Sequence, residues 1–485
     1  MKHRTFSMIL AALLAAGTLT SCGGDAPAGS SDTTAADATS AVPETTRDTL
    51  DPTLDFGGET VVIYCPNDLS IVEFNAEQTG DVVNDAVYKR NIDVQERLNV
   101  NFEWVESVGL WANEQGWKGT LRTSITAGDA VYDLVAGYGV FVAQLAAEQL
   151  FCDLSSTAHI DFAQPWWSDT LDNLRINGKL FFASGDISTN TIGTTFAAFF
   201  HKGLLGDYKL ENPYELVDTG KWTMDKMFGM TKDIYKDLNG NEKRDQTDFY
   251  GLHAQFTSFD NLYFSAGMHV VEPDKENGMV ISKDFGSEKM ATLVEKLCNA
   301  FNHTDGIHWG EEENKEVVKN FMNENAIFLL SGMSVASTNL RDVNFEYGIV
   351  PTPKWDEAQE NYMCTSAYTG ALWSIPIDAK NADMSSAVME AFAIEGYYEV
   401  APAFFETALK VKYSSDDDSA RMYDIIRQAR SYDFGRVYST AGLDGIPGKL
   451  RGMVTSDNIN WMSTYESNIT QFETRLAELV EKLGG

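Results

Sequence analysis

The feature that most constrains this chain is an alternation of patterns between Thr60 and Ala136. Thr60-Val61-Val62-Ile63-Tyr64-Cys65 is a short β-branched apolar run of the kind buried on both faces of a sheet. From Asp81 to Leu98, the residues Val83, Val87, Val94 and Leu98 fall close to one helical face. Val100, Phe102 and Trp104 then alternate with polar residues as a strand does. A second helix is predicted from Gly119 to Ala127 and leads to Asp133-Leu134-Val135-Ala136, again a buried strand. Strand, helix, strand, helix, strand describes an α/β unit with a parallel sheet. Such sheets bind ligands beyond the C-terminal ends of their strands. Here those ends carry Pro66-Asn67-Asp68 and Gly137-Tyr138-Gly139. The chain closes on a helical pattern through Phe472, Leu476, Leu479, Val480 and Leu483.

The start of the chain speaks about destination. Lys2 and Arg4 precede an apolar run from Phe6 to Leu19, too short to span a bilayer as a stable helix. Leu19-Thr20-Ser21-Cys22 resembles the bacterial lipobox, which implies a signal peptide over residues 1–21 and lipid attachment at Cys22. Two acyl chains are what a stable membrane anchor needs. The alternative is an ordinary secretory signal. Residues 22–55 hold no aromatic side chain and read as a disordered linker, so folding is expected to begin near Phe56.

Residues 56–485 exceed what a single core usually holds, so two lobes are expected. Hydrophobic residues make up 44% and aromatics 12% of the chain, enough for full cores. A net charge of −34 argues against nucleic-acid binding, which needs basic surface. It equally disfavours attraction to an anionic membrane surface. Beyond Cys22, the cysteines Cys65, Cys152, Cys298 and Cys364 are widely spaced and read as free.

Several stretches in order resemble the extracellular solute-binding proteins of ABC importers, in the group that includes maltose-binding proteins. They are Gly80 to Asn91 with Glu96 to Val100, Ile125 to Asp129 with Tyr132 to Val135, and Asn177 to Phe181 with Gly185-Asp186. Phe345 to Pro351 and Tyr368 to Pro376 continue the series. The resemblance implies a type II two-lobe α/β fold whose ligand sits between lobes joined by crossover segments. It places lobe 1 at 56–186 and 369–432, and lobe 2 at 187–368 and 433–485. It also implies a monomeric, non-enzymatic receptor that delivers a small molecule, a sugar or oligosaccharide, to the transmembrane subunits of a permease.

Sugar faces are apolar C–H patches ringed by hydroxyls, which suits aromatic platforms beside carboxylates. Tyr138, Trp167, Tyr368 and Trp373 lie near the expected cleft, and Asp186 at the first crossover could accept hydroxyl hydrogen bonds. Trp461 joins them on the resemblance alone. The competing reading is that these aromatics simply pack. A separate motif runs from Asp237 to Asp248. Asp237, Asn239, Asn241, Asp245 and Asp248 put side-chain oxygens at loop positions 1, 3, 5, 9 and 12, and Lys243 offers a carbonyl at position 7. That is the ligand spacing of a calcium loop, and similar loops occur in the family it resembles. Glu242 stands where glycine normally permits positive φ, at a cost of roughly 1–2 kcal/mol. The shorter Asp248 replaces glutamate at the end. The motif is a structural calcium site or a metal-free polar turn.

Catalytic patterns are poor. Gly332-Met333-Ser334-Val335-Ala336 lacks the last glycine of a nucleophile elbow, and Gly137-Tyr138-Gly139 lacks a third glycine for a dinucleotide. A surface glycoside hydrolase and an adhesion protein without a small ligand remain as the other readings.

Overall fold

A computed structural model describes residues 47–484 apart from 70–71, 276–277, 311–314, 411–416, 441–442 and 444–445. Cys22 and the predicted signal segment over 1–21 lie outside the described residues. Two sheets organise the rest. The first has the order β13-β3-β1-β2, from β1 (Glu59–Pro66), β2 (Val100–Ser107), β3 (Leu134–Tyr138) and β13 (Ala371–Ser374). β1 runs parallel to both β2 and β3, whereas β13 returns antiparallel with Ala371 opposite Tyr138. The helices α1 (Val82–Leu98) and α2 (Glu114–Ala127) connect the parallel strands. Asp81 caps α1 by accepting from the Val83 and Asn84 amides, the reason the helix starts there. Helix α3 (Gly139–Ala147) leaves the end of β3.

The second sheet has the order β11-β4-β10-β6-β5, with β9 also beside β6. Its strands are β4 (Phe196–His201), β5 (Tyr235–Lys236), β6 (Phe249–Gln255), β9 (Ile307–Gly310), β10 (Ala326–Gly332) and β11 (Tyr347–Pro351). β6, β9 and β10 are mutually parallel, so their C-terminal ends lie together. Between them in the chain, β7 (Val271–Asp274) and β8 (Gly278–Ile281) form a separate hairpin. Another short pair, β12 (Cys364–Thr365) with β14 (Arg430–Ser431), lies on the connecting segments. Helix α4 (Ser258–Ser265) follows β6; α5 (Ala382–Glu395), α6 (Asp417–Gln428), α7 (Ile446–Thr455) and α8 (Trp461–Lys482) complete the chain used below. The mixed architecture, with two sheets linked by returning segments, is the expected two-lobe α/β arrangement.

Two buried carboxylates brace the first lobe. Glu73 accepts from the Ser188 hydroxyl, the Asn190 amide and the Trp373 indole, tying the first crossover to the sheet. Glu390 accepts from both the Trp166 and the Trp167 indole at 2.9 Å. Burial pushes each of these carboxyls up to about 7.

The folded part starts earlier than composition indicates. Leu50 is buried, Arg47 pairs with Glu395 and Glu399, and Arg97 binds Asp48 and the carbonyls of Leu50 and Asp51. One apolar side chain and a few charge-assisted bonds are enough to order a segment that is otherwise polar. Cys65, Cys152, Cys298 and Cys364 are free thiols, as their spacing indicates.

Candidate functional site

In the first lobe the parallel strands β1, β2 and β3 end on the same side. Asp68, just past β1, accepts the amides of Gly109 and Leu110 and so pins the loop leaving β2. That loop exposes Val108, Leu110 and Trp111, the last at 42%. Trp111 stands edge-on to Phe141 with centroids 5.0 Å apart, and Tyr138 packs beside both rings. An exposed indole held by packed aromatics is a rigid platform with one face to offer. Nothing periodic in the sequence marked Trp111, because it opens a single 3-10 turn, Trp111–Asn113, too short to show a period.

The second group gathers around Asp260, in the first turn of α4 and fully buried. The Tyr368 hydroxyl donates to its Oδ2 at 3.1 Å, and Arg436 Nη1 approaches the same oxygen at 3.3 Å. Arg436 also donates twice to the Ser366 carbonyl and stacks 4.2 Å over the Tyr368 ring. Arg451, on α7, brings Nε to 3.2 Å from Asp260 Oδ1, and its guanidinium lies beside Tyr368 and Phe256. Phe256 directly follows β6, so this group stands at the C-terminal strand ends of the second lobe. Burial, then the neighbouring Asp260 charge, pushes the Tyr368 phenol well up, so it serves as a donor. Asp433 accepts from the Val270 and Arg436 amides and faces His269 at 3.6 Å, holding that imidazole above its ordinary value.

The two groups approach each other where the second crossover meets β3. Gly139 N donates to the Gly370 carbonyl at 2.9 Å, and a Cβ on Gly139 would stand 2.8 Å from that oxygen. Only glycine allows this contact. Tyr138 and Tyr368 flank it, and a cavity of about 30 Å³ beside it is lined by Gly139, Tyr368, Leu372, Tyr432 and Arg436.

The other aromatic and acidic residues singled out from sequence stand elsewhere. Asp186 is buried and clamped by Arg427 at 2.5 Å and Arg430 at 2.9 Å, so its oxygens are committed to ion pairs. Trp373 lies within the first lobe's core, bonded to Glu73 and packed on Phe74 and Phe392. Trp461 is 1% exposed, donates to the Phe285 carbonyl at 2.8 Å and meets the Phe285 ring edge-on. The structure thus seals Trp461 inside the packing of the second lobe. Trp167 bonds Glu390 and also borders a separate cleft of about 570 Å³ with Tyr397, Arg427 and Arg430. β14 divides the cavities, since Arg430 lines this one and Ser431 the smaller.

The loop from Asp237 to Asp248 coils around its own oxygens. Asp237 accepts the amides of Asn239, Gly240 and Glu242, and Asn241 Oδ1 accepts that of Lys243. The Asn239 and Asn241 amides both reach Asp245 Oδ2. Hydrogen bonds from Thr247, then from these asparagines, hold the Asp245 carboxyl well below the usual carboxylate range. Glu242 has φ +58°, the left-handed conformation that a calcium loop requires at its sixth position. Asp248 is buried and spent on the Tyr235 hydroxyl and two backbone amides, and the Lys243 carbonyl faces Tyr235. Among the described residues, no group of three or more His, Cys, Asp or Glu stands close enough to hold a metal. Any cation here would need Asn and carbonyl oxygens besides the carboxylates of Asp237 and Asp245.

No family model matches the chain, and no curated protein matches it by sequence. Solved structures do match by fold. A cyclic α-maltosyl-1,6-maltose binding protein from Arthrobacter globiformis aligns with a TM-score of 0.57 at 12% identity, over 88% of this chain and 100% of that one. An ABC substrate-binding protein from Listeria monocytogenes, in complex with cycloalternan, gives 0.53 at 12% identity, covering 85% and 98%. UgpB from Mycobacterium tuberculosis, in complex with glycerophosphocholine, gives 0.54 at 13%, covering 87% and 99%. The chain therefore has the two-lobe fold of ABC substrate-binding proteins across most of its length.

Proposed function

We propose that this protein is an extracytoplasmic receptor that captures a carbohydrate between its lobes and delivers it to an ABC permease. The observation that carries the reading is Trp111, an exposed indole backed by Tyr138 and Phe141 at the strand ends of a two-lobed fold. Relatives in fold take cycloalternan and other small molecules, which supports a small ligand here. Tyr138 and Tyr368 stand at the junction where such a ligand would rest, with lobes over 56–186 plus 369–432 and 187–368 plus 433–485. Closure would turn about the crossovers. A hydrolase would need a carboxyl free to give up a proton across a scissile bond. Asp260 is instead ion-paired with Arg436 and Arg451, and Asp433 accepts two backbone amides, which favours a binding role.

The membrane anchor at Cys22 and a structural calcium ion in the 237–248 loop belong to the same reading. The left-handed Glu242 and the inward-turned Asp237 and Asn241 support the calcium site. A thermal-shift screen against mono- and oligosaccharides tests the receptor directly, because a ligand of the folded state raises its stability by mass action. Scattering should show a smaller radius of gyration with the ligand found. Replacing Cys22 with Ser should move the protein from membranes to the soluble fraction. Silence across the saccharide panel would sink the carbohydrate reading, and a membrane-bound Cys22→Ser variant the anchor.

A further inference from the structure

We infer that the captured ligand carries a carboxylate, as an acidic saccharide does, and that Arg451 is the side chain that receives it. The inference rests on the cleft being the ligand site.

Among the described residues, the charges around Asp260 do not balance. Two guanidinium groups, Arg436 and Arg451, stand against this one carboxylate. Arg436 is fully engaged: its side chain is 5% exposed, and its nitrogens serve Ser366 and Asp260. Arg451 is not. Its side chain is 24% exposed, and its Nε, though 3.2 Å from Asp260 Oδ1, is misaligned, so both atoms lack a hydrogen-bond partner. Asp433, the other carboxylate lining this junction, is occupied by two backbone amides and His269. The Arg451 guanidinium lies 5.4 and 5.7 Å from the ring centroids of Phe256 and Tyr368, within cation–π range of both.

Water can solvate the surplus charge while the lobes are apart. Closure over a ligand removes that water, and a buried charge without a partner is costly. A neutral sugar would leave the second guanidinium uncompensated. A carboxylate supplies the missing charge and matches the planar fork of arginine with two parallel hydrogen bonds.

Calorimetry with matched pairs tests this: trigalacturonate against galactotriose, and cellobiouronic acid against cellobiose. The acidic member of at least one pair should bind tenfold or more tightly than its neutral counterpart. Arg451→Gln should erase the preference with an unchanged melting temperature, and Arg451→Lys should keep part of it. Equal or tighter binding of the neutral members, or a preference that survives Arg451→Gln, overturns the inference. Neutral binding that depends on Trp111 but shows no acid preference overturns it alone and leaves the receptor intact. No binding by either class overturns both.

Discussion

Replacing Trp461 and Trp111 separately by alanine should produce opposite phenotypes. Trp461 is 1% exposed, with its indole edge-on to Phe285, which in turn meets Phe472, and its N–H on the Phe285 carbonyl. Truncating a buried tryptophan costs about 3–5 kcal/mol, and the abandoned carbonyl adds about 1 more. The expected loss is ~4–6 kcal/mol, a large part of the ~5–15 kcal/mol that holds a typical native protein together. Trp111 is 42% exposed and loses mainly its edge-on contact with Phe141, worth about 0.5–1.5 kcal/mol. Urea unfolding followed by circular dichroism measures both losses. Calorimetry with the best saccharide from the screen then measures affinity. Trp111→Ala should weaken binding at least tenfold while nearly keeping the unfolding midpoint. A folded Trp461→Phe should bind normally. Equal midpoint losses for the two alanine variants, or tight binding by Trp111→Ala, would refute the assignment of core and platform.

Glu390→Ala should cost about 2–6 kcal/mol, because two indole N–H groups lose their acceptor at about 1–3 kcal/mol each. Glu390→Gln, which keeps one acceptor oxygen, should cost about half as much in the same urea assay. Burial lowers His308 to about 4 from its ordinary 6.5. Its share of stability is therefore complete above pH 6.5 and lost as pH falls toward 4, about 3 kcal/mol in all. The gap in stability between wild type and His308→Asn should shrink by that amount over this window, and a constant gap would count against a buried neutral imidazole. Glu73 acts with the opposite sign: raised from 4.5 to about 7, it stabilises fully below pH 4.5 and its share is lost as pH rises through 7. The advantage of wild type over Glu73→Gln should therefore be greatest in acid. Millimolar calcium should raise the melting temperature of chelator-treated protein but not of Asp237→Ala; identical responses would reduce the loop to a polar turn.

The strands and first helix were legible because burial imposes a period. The run at Thr60–Cys65 falls within β1, and Asp81–Leu98 matches α1 together with its cap. α2 begins at Glu114, ahead of the predicted Gly119, because Trp117 buries beneath its first turn despite the glycines around it. Tyr138 ends β3 and is buried, and Tyr368 lies on the return segment just before β13, so strand order brings both beside the Gly139–Gly370 contact. The charged half of the site was not readable in this way. Asp260, Arg436 and Arg451 come from three separate helices, and no spacing connects them. One signal was available: Arg436 sits within Phe434-Gly435-Arg436-Val437, where a charge among buried apolar neighbours must have a partner. Trp461 shows the limit of resemblance, since an aromatic before a final helix does not reveal which way its indole points.

The pairing of β13 with β3 carries a kinetic consequence. Ala371 lies opposite Tyr138, so the first sheet receives its last strand only after the whole second sheet has been synthesised. Contacts that distant in sequence must overcome loop-closure entropy before they contribute, which slows folding. Until the return segment arrives, the face of β3 that will meet β13 is an open edge, able to pair with other chains. A chain threaded this way stays unfinished for most of its own synthesis. An export signal at Phe6–Leu19, as proposed, would keep such a chain from having to finish folding before it crosses a membrane.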